Sequence, residues 1–319
     1  MTASAPVLAL EHAGRSLAGR LIVDAIDLTI DKGEVVGLLG VNGAGKSTTL
    51  RLIAGVLSPD RGRVRINGCE LDEHPTLARR AIGYLPEDPP LYAELSVVEY
   101  LRFCGRLHGL SGGRLRAAIE RAIERCDLGE VRRRLTGALS KGYRQRVGIA
   151  QAIVHEPDLI VLDEPASGLD PVQALKLREL VRSLGEQHAV VLSTHLLSDV
   201  AACCDRVAVL HRGRIRHQGR IDEAASAGRI RVTLDRAVAA ADWTGLAGVA
   251  TAEPIDARRW RLQPAAAGGA AAVAVAIVAR GWGLTELRAD DVPLEETFLR
   301  IASSETAAEA ELPSESAAA

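Results

Sequence analysis

Gly40-Val41-Asn42-Gly43-Ala44-Gly45-Lys46-Ser47-Thr48 concentrates the residues whose types and spacing can do chemistry. It fits the pattern G-x-x-x-x-G-K-[ST], in which glycines let the backbone curl and aim several N–H groups at phosphate oxygens. A helix following the loop adds positive potential at its N-terminus. In that arrangement Lys46 reaches the β- and γ-phosphates of a nucleotide, and the Ser47 hydroxyl ligates Mg²⁺. A carboxylate must complete such a metal site, and Asp158-Leu159-Ile160-Val161-Leu162-Asp163-Glu164-Pro165 supplies it. Four apolar residues read as a buried strand, with two acids at its C-terminal end. Asp163 would hold Mg²⁺ through water, and Glu164 would polarise an attacking water beside the γ-phosphate. The pattern predicts a nucleotide site.

These residues need elements to position them. Glu34 to Leu39 reads as a strand entering the loop, and Thr48 to Ala54 as a helix leaving it, stopping at Gly55. Residues 7–13, 21–30 and 63–67 have strand patterns, with turns at 31–33 and 59–62. Further apolar β-rich runs fall at 81–85, 159–162, 190–193 and 207–210. Helical patterns between them predict a largely parallel α/β sheet, whose C-terminal strand edge is where ligands bind. From Ser96 to Leu139 the pattern is purely helical, opened by the capping box Ser96-Val97-Val98-Glu99. Arginines at 114, 116, 121, 125, 132, 133 and 134 crowd this region. They read first as a solvated helix face and second as a surface for anionic lipid headgroups. From about Ala225 the chain turns Ala-rich and holds all three tryptophans. Strands are expected there at 230–234, 260–263 and 284–288, and helices at 265–280 and 294–301. Residues 303–319, with four glutamates and no basic residue, read as a disordered acidic tail.

A length of 319 residues suggests about two domains. The net charge of −2 gives no reason to expect nucleic acid as a partner. Cys69, Cys104, Cys126, Cys203 and Cys204 form no C-x-x-C pair, which argues against a disulfide framework or a zinc site. Met1 to Leu10 lacks the basic start and apolar core of a signal peptide. The apolar run 265–279 is short of the roughly 20 residues that span a bilayer.

Three more elements fall in order: Leu139-Ser140-Lys141-Gly142-Tyr143-Arg144-Gln145-Arg146 opening a helix, Ser167-Gly168-Leu169-Asp170 after the acids, and Ser193-Thr194-His195 ending a strand. With the loop and acid pair, this set resembles the ATP-binding subunit of ABC transporters over roughly residues 5–222. Asp163 follows Ser140 by 23 positions and His195 follows Asp163 by 32, spacings similar to the family's. The resemblance implies an α/β P-loop NTPase of the ABC ATPase fold. It would have a mostly parallel sheet core, an antiparallel β subdomain and a helical subdomain at about 96–139, all within 5–222. A small C-terminal α+β accessory domain would occupy 225–302. The resemblance also implies that the Ser140 hydroxyl and Gly142 N–H bind the γ-phosphate of an ATP held by a second subunit. Two ATPs would then be sandwiched in a homodimer, or in a heterodimer with a different ATP-binding subunit. His195 would contact the γ-phosphate and orient the water and Glu164, and Asp170 would communicate across the dimer. ATP and Mg²⁺ are the implied ligands.

Three positions depart from the family pattern. Leu17 stands where an aromatic residue usually stacks on adenine, so the base would rest on an aliphatic surface. Glu87, after Gly83-Tyr84-Leu85-Pro86, replaces a metal-sensing glutamine, and a carboxylate ligates Mg²⁺ at least as well. The signature reads Leu-Ser-Lys-Gly-Tyr, which resembles the subset serving bacterial ABC-2 type exporters, as does the ending 291–298. The implied function is ATP binding and hydrolysis powering a separate transmembrane permease. Such a subunit lies peripherally on the cytoplasmic face of the inner (plasma) membrane. The apolar segment Pro89-Pro90-Leu91-Tyr92 beside Glu87 reads either as the lever toward that permease or as a turn packed on its own domain. The alternative is a soluble ABC-type ATPase acting on ribosome or DNA; those relatives carry paired modules or long coiled coils, and this sequence carries neither.

Overall fold

The computed structural model describes residues 5–221, 229–265 and 269–289. The helix expected at 294–301, the ending 291–298 and the tail at 303–319 lie outside them. The chain divides into two compact units, with the division between Gly219 and Arg220.

The first unit opens with the long hairpin β1 (Leu8–Leu17) and β2 (Arg20–Ile30), antiparallel to each other. β4 (Arg61–Ile66) and β5 (Cys69–Glu70) extend it into a four-stranded antiparallel sheet of order β2-β1-β4-β5. The hairpin runs past the expected end at residue 13, because Ala18 and Gly19 both take positive φ and close a tight turn beside Leu17. Bulged positions at His12 and Ala25 break the simple alternation that marks a strand in sequence.

The second sheet has six strands in the order β10-β9-β3-β8-β7-β6. β3 (Val35–Leu39) runs parallel to β8 (Ala189–Thr194) and to β9 (Arg206–His211). β7 (Leu159–Asp163) runs parallel to β8 and to β6 (Ile82–Leu85). β3, β7 and β8 are buried along their whole length, so continuous apolar runs replace alternation, as in sheets covered on both faces. β10 (Arg214–Arg220) escapes the sequence pattern because arginines and Gln218 alternate with Ile215, His217 and Gly219. Helix α1 (Lys46–Ile53) follows β3, and its Leu50, Leu52 and Ile53 join Leu8, Ile26, Ile30, Val36 and Val161 in one core. Each such fully buried side chain contributes about 1.5–3 kcal/mol of transfer free energy.

α2 (Pro75–Arg80) precedes β6, and α3 (Val97–Leu107) and α4 (Gly112–Arg125) follow it. The Glu99 carboxylate accepts the Ser96 backbone N–H at 2.9 Å at the head of α3. The stretch from Ser96 to Leu139 is not purely helical. Ser96 and Leu135 form an antiparallel bridge, and Val97 and Val98 donate to the Arg134 and Arg132 carbonyls. This strap satisfies N–H groups that the first turn of α3 leaves open. Arg121 pairs with Glu156, and Arg132 with Glu120, each at 2.7 Å. The sequence reading of a solvated face accounts for these exposed pairs, which contribute about 1 kcal/mol or less. α5 (Lys141–Ile153) leads to β7, α6 (Pro171–Gly185) to β8 and α7 (Leu197–Cys203) to β9.

His108, at the C-terminal end of α3, stacks on His155 with ring centroids 3.6 Å apart. His155 Nε2 donates to the Ile82 carbonyl at 3.1 Å. Burial, and then the neighbouring His108, push the His155 imidazole down to about 4. An unfolded histidine titrates near ~6.5. Between those values the unfolded chain binds the extra proton, so stability falls as pH falls from ~6.5 toward 4. Melting temperatures measured across that window should decline, and His155→Phe should flatten the decline. Equal slopes in the two proteins would assign it to other groups.

The second unit is a four-stranded antiparallel sheet of order β12-β13-β11-β14, with helix α8 (Gly269–Ala279) packed on it. Its strands are β11 (Ile230–Leu234), β12 (Val249–Pro254), β13 (Arg259–Pro264) and β14 (Leu284–Ala289). Trp243 lies 5.3 Å from Trp260 and 5.0 Å from Trp282 between ring centroids, above Val232, Leu262, Val273 and Ile277. Ala265, expected to open this helix, lies at the strand end instead, its N–H donating to the Gly248 carbonyl at 2.9 Å.

Candidate functional site

The C-terminal ends of β3, β7 and β8 lie side by side, with Leu39 opposite Thr194 and Asp163 opposite Ser193. The loop after β3 carries Gly40 to Gly45, with Val41, Asn42 and Gly43 exposed on its crest. Gly45 caps α1 at φ 105°, a backbone that side chains rarely adopt, and a Cβ there would stand 2.9 Å from the Ile22 carbonyl oxygen. A Cβ at Gly40 would press on the Leu210 carbonyl. Ala44 N–H closes the loop onto Val41 O at 3.1 Å, and Ala44 O accepts from Gly213 N–H at 2.9 Å. Thr48 is buried in the first turn of the helix that follows.

Lys46 is only 6% exposed and points back into the loop. Its Nζ donates to the Gly40 carbonyl at 2.8 Å and pairs with Glu164 Oε1 at 3.2 Å. Glu164 Oε2 lies 2.9 Å from His195 Nδ1. One carboxylate thus bridges the loop lysine and the strand-end histidine. Glu164 also takes a left-handed backbone, φ 44°, which costs a non-glycine residue about 1–2 kcal/mol. Such strain persists where surrounding bonds over-determine a site. Ser47 Oγ donates to Asp163 Oδ1 at 3.1 Å.

The sequence pattern marks Ser193 and Thr194 only as neighbours of His195; the structure gives both hydroxyls partners. Ser193 Oγ donates to Asp163 Oδ1 at 2.7 Å and accepts the Glu164 N–H at 2.9 Å. Thr194 Oγ1 donates to Asp199 Oδ2 at 2.9 Å and accepts the Leu196 N–H at 3.0 Å. Arg178 Nε in α6 donates to Asp199 Oδ1 at 2.8 Å, so α6 and α7 brace the strand end that presents His195. Two polar residues inside an apolar strand are the sequence signal that would have found them, since buried hydroxyls must be bonded.

Ser140, Gly142 and Asp170 form a second group. Ser140 caps α5, its Oγ accepting the Tyr143 N–H at 3.5 Å. Asp170 caps α6, accepting the Val172 and Gln173 N–H groups at 3.1 and 3.0 Å. Gln173 links the two caps: a Cβ on Gly142 would lie 3.0 Å from its Oε1, which accepts from Arg146 Nη2 at 2.7 Å. Arg146 also donates to Asp127 Oδ2 at 2.9 Å, and its guanidinium lies over the Tyr143 ring. Among the described residues no side-chain hydrogen bond joins this group to the Lys46–Asp163–Glu164 cluster. Leu17 sits half-buried at the hairpin tip, opposite Arg20. Glu87 is exposed and makes no hydrogen bond or ion pair with the described residues.

The donor set at Asp163 suits a hard divalent cation. Its carboxylate is 2% exposed and its hydrogen-bond partners are two hydroxyls, Ser47 and Ser193, so its charge is not neutralised by a neighbouring cation. That charge, after burial, raises the Tyr84 phenol above its usual range. Carboxylate and hydroxyl oxygens that share a shell with phosphates and water are Mg²⁺ chemistry.

A family profile described as ABC transporter matches residues 23–167. The chain is 38% identical over 217 residues to the uncharacterized ABC transporter ATP-binding protein YxlF of Bacillus subtilis (strain 168), covering 68% of this chain and 72% of that one. It is 34% identical over 195 residues to the bacitracin transport ATP-binding protein BcrA of Bacillus licheniformis, covering 60% and 63% respectively. It matches the dimeric structure of a bacterial ABC transporter cassette with a TM-score of 0.60 at 26% identity, covering 67% of this chain and 98% of that one. The chain belongs to the ABC transporter family, as a nucleotide-binding subunit of the ABC ATPase fold. Among the described residues no helix is long and apolar enough to cross a membrane.

Proposed function

We propose that this chain hydrolyses Mg²⁺-ATP to drive a separate transmembrane permease, working peripherally at the cytoplasmic face of the inner membrane. The observation that carries the proposal is Glu164, held between Lys46 at 3.2 Å and His195 at 2.9 Å on the strand edge beside the phosphate loop. The loop's N–H groups and Lys46 bind the phosphates, and Ser47 and Asp163 hold Mg²⁺. When bound, that ion neutralises charge developing on the phosphoryl oxygens. Glu164 accepts a proton from the attacking water, and His195 fixes the carboxylate's orientation and contacts the γ-phosphate. Residues 5–222 form the ATP-binding domain, with the helical subdomain at about 96–139, and 225–302 form an accessory domain.

Ser140 and Gly142 stand at a helix N-terminus apart from their own chain's loop, which supports a role toward the ATP of a second subunit. The dimeric cassette to which the chain is similar supports the same arrangement. The signature Leu-Ser-Lys-Gly-Tyr supports export as the direction, and BcrA, named for bacitracin transport, supports a transport role. The transported substrate is a property of the permease.

The surface that meets the permease is expected around Tyr92. Its ring is 47% exposed and packs edge-on against Phe103, at 5.4 Å, and Tyr100, at 6.2 Å. Phe103, Leu107 and Leu135 are exposed as well. The segment is anchored from behind, since the Tyr92 carbonyl accepts from Thr136 Oγ1 at 2.6 Å and the Pro90 carbonyl from Tyr100 OH at 3.3 Å. A rigid, partly exposed aromatic suits an interface anchor. Tyr92→Asp should leave the ATPase of the isolated chain unchanged and abolish stimulation by the permease in vesicles. Full stimulation in that variant would remove Tyr92 from the coupling surface.

A further inference from the structure

β8 is apolar from Ala189 to Leu192 and ends in two buried hydroxyl residues, of which Thr194 bonds to Asp199 and Ser193 faces the acid pair. Ser193 lies opposite Asp163 in the parallel register, so its side chain reaches the turn where β7 delivers both acids. An amide N–H can only donate, so toward Glu164 the hydroxyl must be the acceptor. That leaves its single proton for the Asp163 carboxylate. One side chain therefore holds the peptide of one acid and the side chain of the other, with no freedom to exchange roles.

The peptide it holds is the strained one. Glu164 has φ 44°, and the turn after it is closed by Ser167 N–H donating to Glu164 O at 3.0 Å. On the far side, the Glu164 carboxylate is fixed by Lys46 and His195. We propose that Ser193 is a positioning residue for hydrolysis, aligning the backbone of the base Glu164 and the metal-binding carboxylate Asp163 through one hydroxyl. The inference rests on the reading of Glu164 as the base. Without the hydroxyl, the Glu164 N–H becomes a donor with no partner in a buried turn, and the left-handed backbone loses the bond that opposes its relaxation. The carboxylate then moves off line, and a displacement of about 1 Å costs roughly 10²-fold in rate.

The experiment compares Ser193→Ala, Ser193→Thr, Glu164→Gln and the Ser193→Ala/Glu164→Gln double variant of the full chain in steady-state Mg²⁺-ATP hydrolysis. Ser193→Ala should lower kcat about 10- to 100-fold and hold KM for ATP within about threefold. Ser193→Thr, which keeps a hydroxyl, should recover most of the loss. The double variant should be no slower than Glu164→Gln alone, because groups acting as a unit are not additive. Wild-type kcat in Ser193→Ala would overturn the proposal. So would a loss shared equally by kcat, ATP binding and melting temperature that threonine does not rescue, since that pattern marks a residue needed only for folding. Glu164→Gln separates the two claims. If it keeps turnover, the base is misassigned; if it is inactive beside a fully active Ser193→Ala, only the role of Ser193 falls.

Discussion

In Glu164→Gln, ATP hydrolysis should fall by roughly 10²–10⁴-fold, the range that one general base contributes, while ATP still binds. Glutamine has the same shape, so the backbone bond to Ser193 and the turn to Ser167 persist. What is lost is the capacity to take a proton from water. The neutral side chain also releases the anion that Lys46 faces at 3.2 Å, which leaves the ammonium free for phosphate. Binding should therefore hold or tighten. A protein that binds and does not turn over accumulates its ATP-bound form, so a dimer stable in Mg²⁺-ATP should appear in size-exclusion chromatography with light scattering. Turnover near the wild-type rate would show that another group accepts the proton.

The second large effect is at Lys46. Its ammonium is 6% exposed and its partner Glu164 is 11% exposed, so truncation removes a cation from a site with little water to replace it. Breaking a buried charge-paired contact of this kind costs about 2–5 kcal/mol, which raises Kd for ATP at least roughly 30-fold. Lys46→Ala should show that weakening by calorimetry with Mg²⁺-ATP. The folded chain should also lose stability, because Glu164 is left between His195 and an empty corner of the loop. An unchanged Kd would mean that Lys46 serves the Glu164 ion pair and not the nucleotide.

That Lys46, Ser47, Asp163 and Glu164 lie together is legible in the sequence because it depends on short-range spacing: a loop of fixed length before a helix, and two acids at a strand end. The parallel strands were equally readable, since burial on both faces turns them into apolar runs such as Leu159 to Leu162. Elements held by pairing were not. β12, Val-Ala-Thr-Ala-Glu-Pro, has little strand character of its own and is recruited by hydrogen bonds to β13. The strap from Arg132 to Leu135 is defined by what α3 needs at its head, which no local pattern encodes. Thr194, Asp199 and Arg178 converge from three elements to brace His195, and neither composition nor period connects residues so separated in the chain. Leu17 and Glu87 depart from the family pattern that points to them, and in the structure neither is bonded to the cluster at Lys46.

The most direct test of the transport account is to purify tagged chain from gently solubilised native membranes and to identify and quantify what accompanies it. The account predicts a multi-span membrane protein in fixed stoichiometry with the chain, released by Tyr92→Asp and retained by Glu164→Gln. A chain recovered free of membrane proteins, or together with ribosomes or nucleic acid, would contradict the transport function and leave the ATP chemistry standing.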